Sequence, residues 1–175
     1  MTEATLQATR STPSPKFAAL ESAALAFIAA QSHTPHLPTP LDHALLRRLV
    51  TLSYTHTFGP SYAVSQSPKL QGSFSIDAFI AHTGGLAPWL EGWEIRVRGV
   101  VVDEARECVV VRAGYGMDVA GEVVENEVVW WLEFEEGGGE AEWMVKRSTE
   151  IVDGIAAGRI KELVVVKKGD AVVAG

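Results

Sequence analysis

Residues 92–103 read Gly92-Trp93-Glu94-Ile95-Arg96-Val97-Arg98-Gly99-Val100-Val101-Val102-Asp103, and this stretch decides the fold. Trp93, Ile95 and Val97 alternate with Glu94, Arg96 and Arg98, the period-two pattern of a strand with one buried face and one wet face. At Gly99 the phase breaks into a run of three valines. A glycine at a phase change is a candidate β-bulge, and a bulge bends its strand. Asp103-Glu104-Ala105-Arg106 forms a turn into a second strand from Cys108 to Met117, with Val109, Val111, Ala113, Tyr115 and Met117 on one face. Gly121 opens the next turn and Glu122 to Glu135 makes a third strand. Gly137-Gly138-Gly139 turns the chain again, into a fourth strand from Glu142 to Ile151. Asp153-Gly154 then leads into a short helical segment ending near Leu163, and residues 166–175 are expected to be a frayed tail or a short added strand.

The chain upstream has a different period. Residues 1–15 are polar and end in Ser-Thr-Pro-Ser-Pro, which predicts a disordered leader. Phe17, Leu20, Ala24, Phe27 and Ile28 share one face of a helix from about Lys16 to Gln31. Pro35, Pro38 and Pro40 stop it. Asp42 caps a second expected helix running to about Tyr54, with Leu45, Leu46, Leu49, Val50 and Leu52 as its buried stripe. Gly59-Pro60, Pro68 and Gly72 mark residues 55–75 as a loop, and Ser75 caps a short helix that stops near Gly84-Gly85.

Helices therefore come first and four strands on tight turns follow, within a single domain over residues 16–165. Short connections pair neighbouring strands antiparallel, and segregated helices cover one face, which makes the class α+β. A fourteen-residue strand spans about 45 Å, so in so small a domain the sheet must twist and curl.

Composition narrows the functions. Acidic residues outnumber basic ones 22 to 15, for a net charge of −7, and no Lys/Arg stripe appears, so no nucleic-acid partner is expected. No apolar run reaches the roughly 18 residues of a membrane span, and a cytoplasmic location is expected. The single cysteine, Cys108, allows no internal disulfide and sits among valines as a small buried hydrophobe. His33, His36 and His43 lack a carboxylate at ligand spacing, so neither a metal nor another cofactor is expected. No phosphate loop or nucleophile elbow is present, and Gly137-Gly138-Gly139 is a turn.

From Trp89 to Leu163 the chain resembles the nuclear-transport-factor-2-like and SnoaL-like superfamily, including its fungal members. The resemblance rests on Trp89-Leu90-Glu91-Gly92-Trp93 entering the sheet, the Val101-Val102-Asp103-Glu104 hairpin, the strand from Asn126-Glu127 to Trp130-Trp131, and Glu150-Ile151-Val152-Asp153 at its close. Each motif is weakly specific; their order carries the likeness. It implies a cone: a strongly curved antiparallel sheet with helices on its concave side and a pocket at the wide end. It also implies an acid or histidine that moves a proton while a second group steadies an enolate. In SnoaL-like cyclases that acid is an aspartate on the strand before the penultimate turn. Counting back from Gly137 puts Trp130 at that place, so the family's acid does not carry over.

Other residues must then carry any chemistry. His56, Asp118 and Glu150 are the candidate catalytic groups, Asp118 at the cavity mouth; a partly buried structural histidine is the plain alternative for His56, and a helix-start cap or ion-pair acid for Glu150. Asn126 shares the apolar face of Val128, Trp130, Leu132 and Phe134, so it reads either as a polar group at a cavity wall, able to donate to a ligand carbonyl, or as a surface or turn-proximal Asn. Tyr54, Trp89, Trp93, Tyr115, Met117 and Trp130 complete the expected ligand-binding set, with core packing as the alternative for Tyr115, Met117 and the tryptophans. Val129 and Trp131 lie on the opposite face, apolar and rimmed by acids, and read as a homodimer surface. Three functions stay open: a cofactor-free isomerase, cyclase or dehydratase on a hydrophobic polyketide- or terpenoid-like substrate; a non-catalytic small-ligand binder; and a dimeric interaction module whose pocket is filled by its own tryptophans.

Overall fold

The computed structural model describes residues 12–37, 39–138 and 142–173. Most of the expected leader, together with Pro38, Gly139 and the last two residues, lies outside them. Helix α1 (Pro15–Ala29) begins with proline at its first turn and with the Ser14 hydroxyl accepting from the Phe17 amide, a cap that satisfies one orphan helix donor. Helix α2 (His43–Arg48) is capped in the same way by Asp42. Strand β1 (Val50–Gly59) follows at once, then helices α3 (Ser61–Ser65) and α4 (Ile76–Leu86). The meander β2 (Gly92–Asp103), β3 (Cys108–Val119), β4 (Glu122–Glu136) and β5 (Trp143–Val152) leads to helix α5 (Gly154–Val173).

The sheet order is β1-β5-β4-β3-β2. It is open, curved and mixed: the meander is antiparallel, but β1 runs parallel to β5 along one edge. Two expectations are corrected here. The second helix was expected to run to Tyr54, with loop beyond it; instead it ends after six residues and a strand takes its place. Tyr54, His56 and Phe58 alternate with Thr55 and Thr57, and such β-branched and aromatic residues suit a pleated surface better than a helix. A fifth strand then turns an all-antiparallel sheet into a mixed one. The final helix, expected to stop near Leu163, continues to Val173. Its later turns are fastened by Lys167, which donates to the Trp89 carbonyl at 3.1 Å and to Glu91 at 2.6 Å.

The bend at Gly99 is present, because the β2–β3 register shifts between Val97 and Gly99. Further shifts fall between Val50 and Thr55 and between Glu133 and Phe134, and each added residue increases the local twist. The curled inner face carries Val109, Val111, Val128, Trp130, Leu132 and Phe134, packed against Leu20, Phe27 and Ile28 of α1 and Phe79 of α4. A second cluster joins Val119 to Ile160, Leu163 and Val164 of α5, with Trp89 and Leu90 packed against it. Among the described residues, no helix is long and apolar enough to cross a membrane.

Candidate active site

Inward positions of three neighbouring strands meet at one place. His56 of β1 is the register partner of Ser148 on β5, Phe58 is the partner of Glu150, and Glu150 faces Trp130 of β4 across the sheet. Strand alternation sends all of these side chains to the concave side. His56 is completely buried, with its ring 4.4 Å from Phe58, 4.5 Å from Phe79 and 5.8 Å from Trp130 between centroids.

The polar atoms form a chain. The Tyr54 hydroxyl lies 2.6 Å from Ser148 Oγ, and Ser148 Oγ lies 2.8 Å from His56 Nδ1. His56 Nε2 has no hydrogen-bond partner and faces Glu150 Oε2 at 3.7 Å. Counting protons orients the chain. If Tyr54 donates to Ser148 and Ser148 donates to Nδ1, each hydroxyl proton has an acceptor and the imidazole N–H sits on Nε2, aimed at Glu150. The opposite direction leaves the buried Tyr54 proton without an acceptor, which is costly.

Burial sets the charges. Desolvation, helped by His82, pushes the His56 pKa down to about 3, so the ring is neutral. Desolvation raises the Glu150 carboxyl to about 8. Yet 16% of the Glu150 side chain remains accessible while His56 and Trp130 are sealed, so of these three Glu150 alone keeps exposed surface. The Tyr54 and Tyr115 phenols are both pushed upward by burial and keep their protons. Tyr115 accepts from Trp130 Nε1 at 2.9 Å. Its own proton has only Gln31 Oε1, at 3.5 Å, too far for a good bond, which leaves it available as a donor.

Of the residues singled out by sequence, the fold places Tyr54, His56, Glu150, Tyr115, Trp130 and Asn126 on this inner face. Asn126 is buried and its Oδ1 has no partner. Trp93 and Met117 are partly buried at the edge of the core, Trp93 donating to the Gln31 carbonyl at 2.8 Å. Trp89 lies in the α5 cluster beneath Lys168, 4.7 Å from its ring. Asp118 is not brought in: Val119 beside it points inward and is fully buried, so alternation turns Asp118 to the outer face. Ser148 and His82 belong to the site's surroundings and were not singled out for it. The alternation Ser148-Thr149-Glu150 already puts Ser148 on the face of Glu150, whereas His82, packed on Phe58 and Phe74, is placed only by the tertiary fold. Desolvation, then Lys69, lowers the His82 pKa. Among the described residues, no group of three His, Cys, Asp or Glu side chains is arranged to hold a metal.

An open, curved, mixed sheet wrapped by helices defines the class of fold. This is the cone fold of SnoaL-like, nuclear-transport-factor-2-like proteins. The BvnE pinacolase from Penicillium brevicompactum superposes with a TM-score of 0.67 at 15% identity, over 90% of this chain and 98% of that one. AusH from Aspergillus nidulans gives 0.61 at 21% identity, covering 81% and 87%. A protein assigned as a SnoaL-like polyketide cyclase from Jannaschia gives 0.62 at 16% identity, covering 84% and 94%. No family model and no curated protein sequence matches the chain. The likeness is one of fold.

Proposed function

We propose that the chain is a cofactor-free enzyme that moves a proton beside a carbonyl of a hydrophobic, polyketide- or terpenoid-like substrate. The observation that carries this reading is Glu150: a carboxyl raised to about 8 that still has accessible surface and faces a neutral imidazole. A group with a pKa near the working pH is the most effective proton shuttle, because it gives and takes with similar ease. In the ionised fraction, Glu150 removes a proton from the carbon next to the carbonyl, and the resulting acid returns it elsewhere. The neutral His56 Nε2–H, 3.7 Å from Glu150, positions the carboxyl, and the neutral Tyr115 hydroxyl steadies the enolate oxygen without an ion to desolvate. Trp93 and Met117, both partly exposed, supply apolar walls. The solved proteins of this fold include a pinacolase and an assigned polyketide cyclase, in keeping with small-molecule chemistry. A cytosolic setting is part of the same reading.

Substrate-independent proton exchange tests it. Fused-ring ketones incubated with the protein in D2O should gain deuterium next to the carbonyl, followed by NMR. Glu150→Gln should lower that rate at least 100-fold. Exchange unchanged in Glu150→Gln would favour a non-catalytic binding module.

The outer sheet face supports a homodimer. Val101, Val110, Trp131 and Thr149 form one cross-strand row, and Trp131 leaves 47% of its surface open. Ion pairs Arg98–Glu125, Arg112–Glu127 and Arg147–Glu133 frame it, an apolar centre inside a polar rim.

A further inference from the structure

The site as it stands is closed. His56, Ser148 and Trp130 are sealed, and Glu150 keeps only 16% of its side chain exposed. A substrate therefore meets Glu150 only after a covering element moves. Four rings surround the His56 imidazole: Phe58, Phe74, Phe79 and Trp130. Phe79 of α4 and Trp130 of β4 are fully buried, and α1 is anchored through Leu20, Phe27 and Ile28. Phe74 is held differently. It ends the connection of residues 60–74 between β1 and α4, and no residue of that connection is buried.

That connection is a strap with one fastening. Among the described residues, its hydrogen bonds to the rest of the protein are the two that join Phe74 to His56. The His56 amide donates to the Phe74 carbonyl at 2.8 Å, and the Phe74 amide donates to the His56 carbonyl at 2.9 Å. Its other bonds are internal: Gln71 Nε2 donates to the carbonyls of Val64 and Ser65 at 3.4 and 3.3 Å, which braces the strap as one piece. The Phe74 ring closes the fastening, 5.4 Å from Phe58, 5.8 Å from His82 and 6.1 Å from His56. Few buried contacts and exposed backbone bonds mark the segments that open first in a folded protein. We propose that residues 60–74 are a lid, latched by Phe74 on His56, which lifts to admit substrate to Glu150 and closes to exclude water. The gating role rests on the acid–base reading of Glu150; the opening itself does not.

Opening is read without substrate, by native-state amide hydrogen exchange on the full chain. The His56 amide, whose partner is the lid, should show a protection factor about 100-fold below that of Trp130 in the central strand β4. A Cβ placed on Gly154 would lie 3.9 Å from the Ala63 Cβ, within the span of a disulfide, so Ala63→Cys/Gly154→Cys pins the lid to the start of α5. Once oxidised, this variant should raise His56 protection about tenfold and slow deuterium uptake by α-tetralone about tenfold; dithiothreitol should restore both. Equal protection of His56 and Trp130 in wild type, no change at His56 in the oxidised variant, or a pair that does not oxidise would each overturn the lid. Unslowed uptake with the lid pinned would overturn its gating role. Failure of the acid–base reading shows separately, as undiminished exchange in Glu150→Gln with the His56 protection pattern intact.

Discussion

At the residue scale, the proposed proton chemistry and the stability of the fold make opposite demands on the pH at Glu150. As a base it must be ionised, so the exchange rate should rise with pH and level off above about 8; a rate that falls over that range would exclude the basic role. Folding runs the other way. A carboxyl raised above its ordinary value binds more protons in the folded chain, so stability declines as pH rises toward 8. His56, depressed to about 3, binds fewer protons when folded, so its contribution grows as pH rises to about 6.5 and is then complete. Between pH 6.5 and 8 only the Glu150 effect remains of the two, and the loss is at most about 2 kcal/mol. Denaturant midpoints across that window should fall in wild type and stay level in Glu150→Gln. Ser148→Ala should lower exchange by roughly tenfold, since it unfixes the imidazole tautomer and leaves Tyr54 without its acceptor.

At the scale of elements, β1 and α5 matter most. Strand β1 carries Tyr54 and His56 into the core, and its parallel register with β5 sets His56 beside Ser148 and Phe58 beside Glu150. The stripe of Leu45, Leu46, Leu49, Val50 and Leu52 fits a helix by spacing, so sequence alone extends α2 through this region. Pairing with β5 overrides it, because buried backbone groups at the sheet edge gain partners there. Helix α5 is held at its start by Asp153, whose Oδ1 accepts from the amides of Ile155 at 2.9 Å and Ala156 at 3.2 Å. Asp153→Ala should cost about 1 kcal/mol in urea unfolding, the usual worth of a cap, and should leave the proton-exchange pH profile in place. A shifted profile would give Asp153 a part in the chemistry that the cap does not explain.

Across the whole molecule, the curled sheet has two faces with different tasks. The inner face packs against α1, α4 and α5, and the outer face displays Trp131 inside its frame of ion pairs. If the proposed homodimer forms through this face, Trp131→Arg should shift it to monomer in sedimentation velocity while leaving its far-ultraviolet circular dichroism intact. A wild-type monomer at micromolar concentration would remove the dimer from this account.

The class of fold was legible in local patterns. Alternation from Trp93 to Val97, the phase break at Gly99 and the turns at Gly121 and Gly137 specify a bent meander, because each depends only on neighbouring residues. The same alternation placed Asn126 and Trp130 on the buried side of β4 and Val129 and Trp131 on the other. Glu150 and His56 were legible as candidates. Their meeting was not, because it depends on β1 pairing parallel with β5 across about 90 residues of intervening chain, a contact no local period encodes. Asp118 shows the converse, since its position at a strand end looked suitable and strand parity sent it outside. Titration belonged to the tertiary structure as well: the carboxyl of Glu150 is an ordinary acid in sequence and is raised to about 8 only because burial in the fold removes water.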